Sequence, residues 1–219
     1  MQNQNRLHRV RWAVNMEEFI PHGLIVQKPE DISVFYQELL EREIHSSEEF
    51  QVFLKHVSEL ESFVSEDMAW RYIRMTCDTT SKDHEEAYLK FVQEIQPVLA
   101  PLEDKLNNKI VRSEYTESLE AEAAYFIYLR GLKSAVKLFR EENVAIQSEL
   151  ATLAQEYSGI QGKMSIDWKG EEITLQKASN ILMKTDSAER KEAWSKIQER
   201  RNQDVEKLDD IFDQMISKR

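Results

Sequence analysis

Five histidines, one cysteine and forty carboxylates are the residues of this chain best equipped for chemistry, and their spacing decides what they can do. A zinc site on a single helix needs His-Glu-x-x-His, because positions four apart share a face and the Glu beside the first His serves as base. The nearest approach is His84-Glu85-Glu86-Ala87-Tyr88, with Tyr88 at the second ligand position. Acidic residues in that run suit the first turn of a helix, where the macrodipole favours negative charge, and that structural role is the preferred one. A di-iron bundle needs Glu-x-x-His on two helices. Three residues before His8, His22, His45, His56 and His84 stand Asn5, Phe19, Arg42, Phe53 and Ser81, so no such pair exists.

Other motifs fail in similar ways. Gly159-Ile160-Gln161-Gly162-Lys163 lacks the spacer of a phosphate loop, the hydroxyl residue after its Lys, and a preceding strand. It reads as a helix stop with Gly159 in the left-handed position. Cys77 has no Cys-x-x-Cys partner and reads as a buried structural thiol. Carboxylates such as Glu59, Glu61 and Glu66 fill the polar gaps of a helix, where acidic residues signify a solvated face. Phe50, Phe53, Trp70 and Tyr72 form an aromatic stripe, read as core. The expectation is therefore no catalytic, cofactor-binding or metal-ligating residue, and no cofactor held by this chain.

The elements that would position any site are helical. Five Gly and four Pro make up about 4% of the residues, against about 12% in an average protein. Sandwiches, barrels and doubly wound sheets need more turns than that. With 29 basic and 40 acidic residues the net charge is −11, which repels phosphate backbones and argues against nucleic acid as a partner. The longest apolar run, Ala123 to Leu129, is far short of the roughly 20 residues of a membrane helix. A lone cysteine fits a reducing compartment, and Arg6, Arg9 and Arg11 are not followed by a signal-type apolar block. These features predict a cytoplasmic protein with no membrane partner.

The fold class expected is mainly α, a multi-helix lobe with one short β-hairpin around residues 163–175. Residues 1–28 read as an irregular arm touching the body through Trp12, Phe19, Leu24 and Val26, and residues 29–219 as a single α-helical lobe. Pro29 suits a first helical turn. Ser46-Ser47-Glu48-Glu49 is a capping box opening a helix whose stripe runs from Phe50 through Val64, Met68 and Tyr72 to an end near Cys77. A helix from Ser81 to Gln96 is interrupted or kinked by Pro97 and Pro101. Leu119, Ala123, Phe126, Leu129, Val136 and Phe139 predict one helix that includes Gly131, a residue explained by close packing. Asn143 is the expected cap of the next. Alternation of Met164, Ile166 and Trp168, then Lys169-Gly170, predicts the hairpin. Thr174 and Asp186 open the last two helices, the final one running unbroken to the C-terminus for about 50 Å.

Three stretches carry a resemblance. Ser65-Glu66-Asp67-Met68-Ala69-Trp70-Arg71-Tyr72-Ile73-Arg74-Met75-Thr76-Cys77-Asp78-Thr79-Thr80 resembles a segment in which a long helix ends in an Asp-Thr turn. Phe139 to Asn143, continued through Met164 to Leu175, is the second, and Lys184 to Ala193, an Asp-x-x-x-Arg-x-x-Ala helix start, is the third. In order and spacing they look like the N-terminal region of the oligoendopeptidase F branch of the thimet-oligopeptidase family of zinc metallopeptidases. The resemblance implies a helical wall of a channel that admits short peptides. It also implies a catalytic half, with His-Glu-x-x-His and a later Glu binding zinc, that these residues do not include. The expected partners are that missing half and, in the complete enzyme, short peptides, and the chain alone is expected to be inactive. The uncapped final helix agrees with truncation. A severed lobe should expose apolar surface near the last helix or the hairpin, through which it could pair with a second copy. The alternative is a stand-alone all-α adaptor with a closed core and one groove for a partner helix.

Overall fold

The computed structural model describes residues 18–218, so Trp12 and the basic residues near the start lie outside the described part. The chain enters along the body. Phe19 and Ile20 donate their backbone N–H groups to the Glu59 carboxylate at 3.2 and 2.9 Å. Phe19 stacks on His56 with ring centroids 4.9 Å apart, and Val26 is buried while Leu24 packs against the core.

Helix α1 (Glu30–Glu41) follows Pro29 and buries Ile32, Tyr36 and Leu39. Its C-terminal carbonyls are capped from a distance: Lys109 Nζ donates to the carbonyls of Leu39, Leu40 and Arg42 at 2.6–2.9 Å. Helix α2 (Ser47–Cys77) opens as the sequence predicts, with Ser46 Oγ accepting from the Glu49 amide at 3.1 Å. Glu49 reaches one residue further back than a standard box, to the His45 N–H. Its first half is core, with Phe50, Phe53, Leu54, Val57 and Leu60 buried. The stripe fails beyond that point. Val64 and Met68 are half-buried, while Trp70 is 39% and Tyr72 49% exposed. The final turns stay on the core through Met75, which is buried, while Ile73, Thr76 and Cys77 are exposed. Cys77 is thus an exposed thiol, not the buried one expected.

Ser81 caps helix α3 (Lys82–Lys90), which continues through a π turn (Phe91–Ile95) into α4 (Gln96–Arg112). The interruption expected from the prolines takes the form of that π turn, in which Gln96 N–H bonds the Phe91 carbonyl five residues back. Pro97 follows as the second residue of α4, and Pro101 lies inside that helix without ending it, so the second proline does not interrupt the chain as expected. The single helix expected from Leu119 is two, α5 (Thr116–Glu120) and α6 (Ala123–Leu138). Leu129 and Leu132 face inward, but Phe126 is 44% exposed. Gly131 has no atom near its missing Cβ, so close packing does not explain it.

Helix α7 (Glu142–Gly162) begins before Asn143, which is therefore not its cap, and runs through Gly159 without a left-handed residue. The packing glycine is Gly162, where a Cβ would come 2.9 Å from Thr79 Cγ2. Strands β1 (Ser165–Trp168) and β2 (Glu171–Thr174) pair antiparallel with Ile166 opposite Ile173. Lys169 and Gly170 turn the chain at φ 56° and 88°, the pair of positive angles that a two-residue hairpin turn needs. Thr174 caps α8 (Leu175–Ile181) and Asp186 caps α9 (Ser187–Asn202). The last helix is not continuous. It breaks at Gln203-Asp204, where Arg200 Nη1 pairs with Asp204 at 2.5 Å, before α10 (Val205–Ser217).

Two hydrophobic cores result among the described residues. The larger gathers α1, the first half of α2, the π turn, α4 and α6, and the smaller joins the hairpin to α8 and α9. Helix α7 touches both, through Ala151 and Ile160, yet none of its residues is fully buried. Met183, Trp194, Phe212 and Ile216 leave apolar surface exposed around the C-terminal helices.

Candidate ligand cleft

Periodicity brings the site together. On α2, Glu61, Val64, Ser65 and Met68 stand at steps of three and four and so share a face. On α4, Leu99, Glu103 and Asn107 do the same one helix away. These two faces, with Tyr36 of α1, Phe91 of the π turn and Leu132 of α6, enclose a cleft of about 590 Å³. That size lies within the range of small-ligand sites. The walls are mainly apolar. The charged groups among the described lining residues are Glu61, Glu103 and Asp104, and no Lys, Arg or His is among them.

An acidic cluster in an apolar wall shifts its own protonation. Burial pushes the Glu61 carboxyl up to about 7, and Glu103 adds repulsion. Glu103 stands at the exposed rim and is raised in the same direction, by desolvation first and then by Asp104. The buried Tyr36 phenol is raised by burial, then by Glu103 and Glu61. Tyr128 of α6 is raised by burial and then by Glu61. Asn107 Oδ1, on a lining residue, and the hydroxyl of Tyr128, which is not among the lining residues, are buried with no hydrogen-bond partner among the described residues. Asn107 is only 6% exposed.

Sequence reasoning passed over these groups, since Glu61 looks like any polar gap-filler of α2. Of the three glutamates it treated alike, Glu59 holds the arm and Glu61 faces the cleft. The residues it weighed for chemistry are dispersed. His84 sits in the first turn of α3, its amide on Ser81 Oγ, with Glu85 accepting from Gln155 at 2.7 Å and Tyr88 in the core. Gly159 to Gly162 is helix, beside a smaller cavity of about 240 Å³ shared with Asp78 and Thr79. Among the described residues no group of three His, Cys, Asp or Glu side chains converges to hold a metal ion, so the donor set of a catalytic zinc is not met by them. No described helix is long and apolar enough to cross a membrane.

The class so defined is a mainly helical lobe with a hairpin appendage and an acidic, apolar-walled cleft. The chain belongs to the Peptidase M3 N-terminal domain family, whose sequence pattern matches residues 27–139. Solved structures share the fold well beyond that span. A protein assigned as oligoendopeptidase F from Bacillus anthracis str. Ames superposes with a TM-score of 0.80 at 23% identity, over 86% of this chain and 35% of its own. PZ peptidase A, solved with an inhibitor, gives 0.78 at 23% identity over 86% and 34%. A further protein assigned as oligoendopeptidase F gives 0.81 at 20% identity over 93% and 36%. The chain thus spans about a third of the length of these proteins. No curated protein matches it.

Proposed function

We propose that this chain is the substrate-channel lobe of an oligoendopeptidase F-like zinc metalloendopeptidase that acts on short peptides in the cytoplasm. Membership of the Peptidase M3 N-terminal domain family carries the reading. Exposed apolar side chains, among them Met183, Trp194, Phe212 and Ile216 around the C-terminal helices and Ile25, Ile127 and Leu138 elsewhere, offer surface for a catalytic half to cover. A second copy of the chain is the other occupant that such a surface would suit. Within the lobe, residues 29–219 form a single helical lobe built on two cores and preceded by the arm, and zinc with its general base is supplied by the catalytic half.

Hydrolysis of quenched-fluorescent oligopeptides tests this. The 219-residue chain is expected to be inactive with or without added zinc, and to support cleavage when joined to the His-Glu-x-x-His segment encoded after Arg219 or in a neighbouring gene. Chelator-sensitive hydrolysis by the chain alone, or the absence of any such segment from both places, would overturn the proposal.

A further inference from the structure

We propose that the exposed face of α10 docks on the exposed face of α6 in a second copy of this chain, an acidic edge against a basic one. The contact is independent of the peptidase reading: self-association is measured without hydrolysis, so either can fail alone.

Helix α6 carries a line of side chains that its own chain leaves uncovered. Ala124, Ile127, Gly131, Ala135 and Leu138 are all exposed, at steps of three and four that share a face. Ile127 is 60% and Leu138 76% exposed. A glycine inside a helix costs about 1 kcal/mol against Ala, and the space around a Gly131 Cβ is empty within 4 Å. With Ala135 it leaves a shallow notch between Ile127 and Leu138, at the open edge of the cleft. One edge of this face is basic. In a chain of net charge −11, α6 holds Arg130, Lys133 and Lys137 and no Asp or Glu. Lys133 pairs with Glu120 at 2.5 Å, whereas Arg130 and Lys137 flank the line on the same side.

Helix α10 presents the complement. Val205, Phe212 and Ile216 are exposed on one face, at 41%, 51% and 51%, while Ile211 is buried behind it. The helix holds Glu206, Asp209, Asp210 and Asp213. Its one lysine, Lys207, is paired with Glu156. At about 100° per residue, Asp209 and Asp213 line one edge of the apolar face. When two helices pack parallel, that edge and the Arg130–Lys137 edge fall on the same side of the seam. With Phe212 over the notch between Gly131 and Ala135, Val205 reaches Ile127, Ile216 reaches Leu138, and Asp209 stands level with Arg130. Large side chains then meet small ones, and carboxylates meet cations. Antiparallel packing sets the two charged edges on opposite sides, so charge selects the direction as well as the partner.

Sedimentation equilibrium of the full chain at low and high salt, with charge-reversed variants, tests the contact. The parent is expected to self-associate, less so at high salt. Asp209→Lys with Asp213→Lys should raise the dissociation constant at least about tenfold, and Arg130→Glu with Lys137→Glu should do the same. All four positions are exposed, so an unchanged melting curve is expected and reports that each variant is folded. An equimolar mixture of the two variants should regain the parent's association, because each reversed edge then finds an opposite one. A parent that stays monomeric would leave both faces to other occupants and overturn the proposal. Association untouched by either reversal, or not regained in the mixture, would overturn it too.

Discussion

The Glu61 carboxyl is held well above the ordinary carboxylate range by its place in the fold, and that has a thermodynamic consequence. Its carboxyl is raised to about 7 by burial and by Glu103 of α4, with the Tyr36 and Tyr128 phenols of α1 and α6 also close enough to feel its charge. In the unfolded chain the same carboxyl titrates in the ordinary range near 4.3. Between those values the unfolded state gives up its proton while the folded state keeps it, so stability falls as pH rises through that window. Glu61→Gln removes the ionising group and keeps its shape. Allowing for screening by water at the open side, the variant should exceed the parent by about 1–2 kcal/mol near pH 8 and match it near pH 4. Urea denaturation at both pH values checks this. A difference that does not change with pH would show that Glu61 acts through packing alone.

The hairpin shows what elements owe to their neighbours. Two strands of four residues are marginal in water. Here Ile166 and Ile173 enter the second core, and half-buried Trp168 packs on it under Lys169 and Lys196, whose ammonium groups lie 5.4 and 5.8 Å from its ring. Trp168→Ala should therefore destabilise by about 1–3 kcal/mol, less than a fully buried Trp, through lost packing and cation–π contact. An unchanged melting temperature would remove the hairpin from the account of stability. Features of this kind were legible because they are local. Ser46, Thr174 and Asp186 cap helices through their own next turn, and Lys169-Gly170 turns the chain by its own backbone angles. What escaped the sequence depends on distant partners. The breaks at Ala121-Glu122 and Gln203-Asp204 carry no proline or glycine. Gly162 is distinguished from Gly131 and Gly159 only by the arrival of Thr79. Trp70 and Tyr72 stand two residues and so about 200° apart on the helix, which no single stripe can bury. Trp70, Tyr72 and Cys77 are exposed while Met75 on the same turns is buried. The cleft was invisible for the same reason, since Glu61, Asn107 and Leu132 come together only when three helices meet.

At the scale of the whole molecule, the two cores differ in size. Among the described residues the first holds twenty-one buried apolar side chains and the second eight. They are coupled through α7, whose contacts toward the first are largely polar. Ser148 Oγ donates to the Val92 carbonyl at 2.7 Å, Gln155 to Glu85 at 2.7 Å, and Thr152 accepts from Gln93 at 3.0 Å. On its other side Lys207 of α10 pairs with Glu156 at 3.3 Å, and Lys218 pairs with Glu149. A hydrogen bond or exposed ion pair of this kind contributes about 1 kcal/mol, whereas apolar burial scales with area. The smaller core should therefore open by itself, at a lower free energy than the larger. Ile197, 2% exposed in the second core, is the residue on which to test this, and Ile197→Ala should cost about 2–4 kcal/mol. Hydrogen exchange read by mass spectrometry should then show faster exchange across residues 164–202. Residues 50–60 of α2 and 99–110 of α4 should keep their original rates. Equal acceleration in both regions would mean that α7 transmits the loss in full and that the two cores unfold as one.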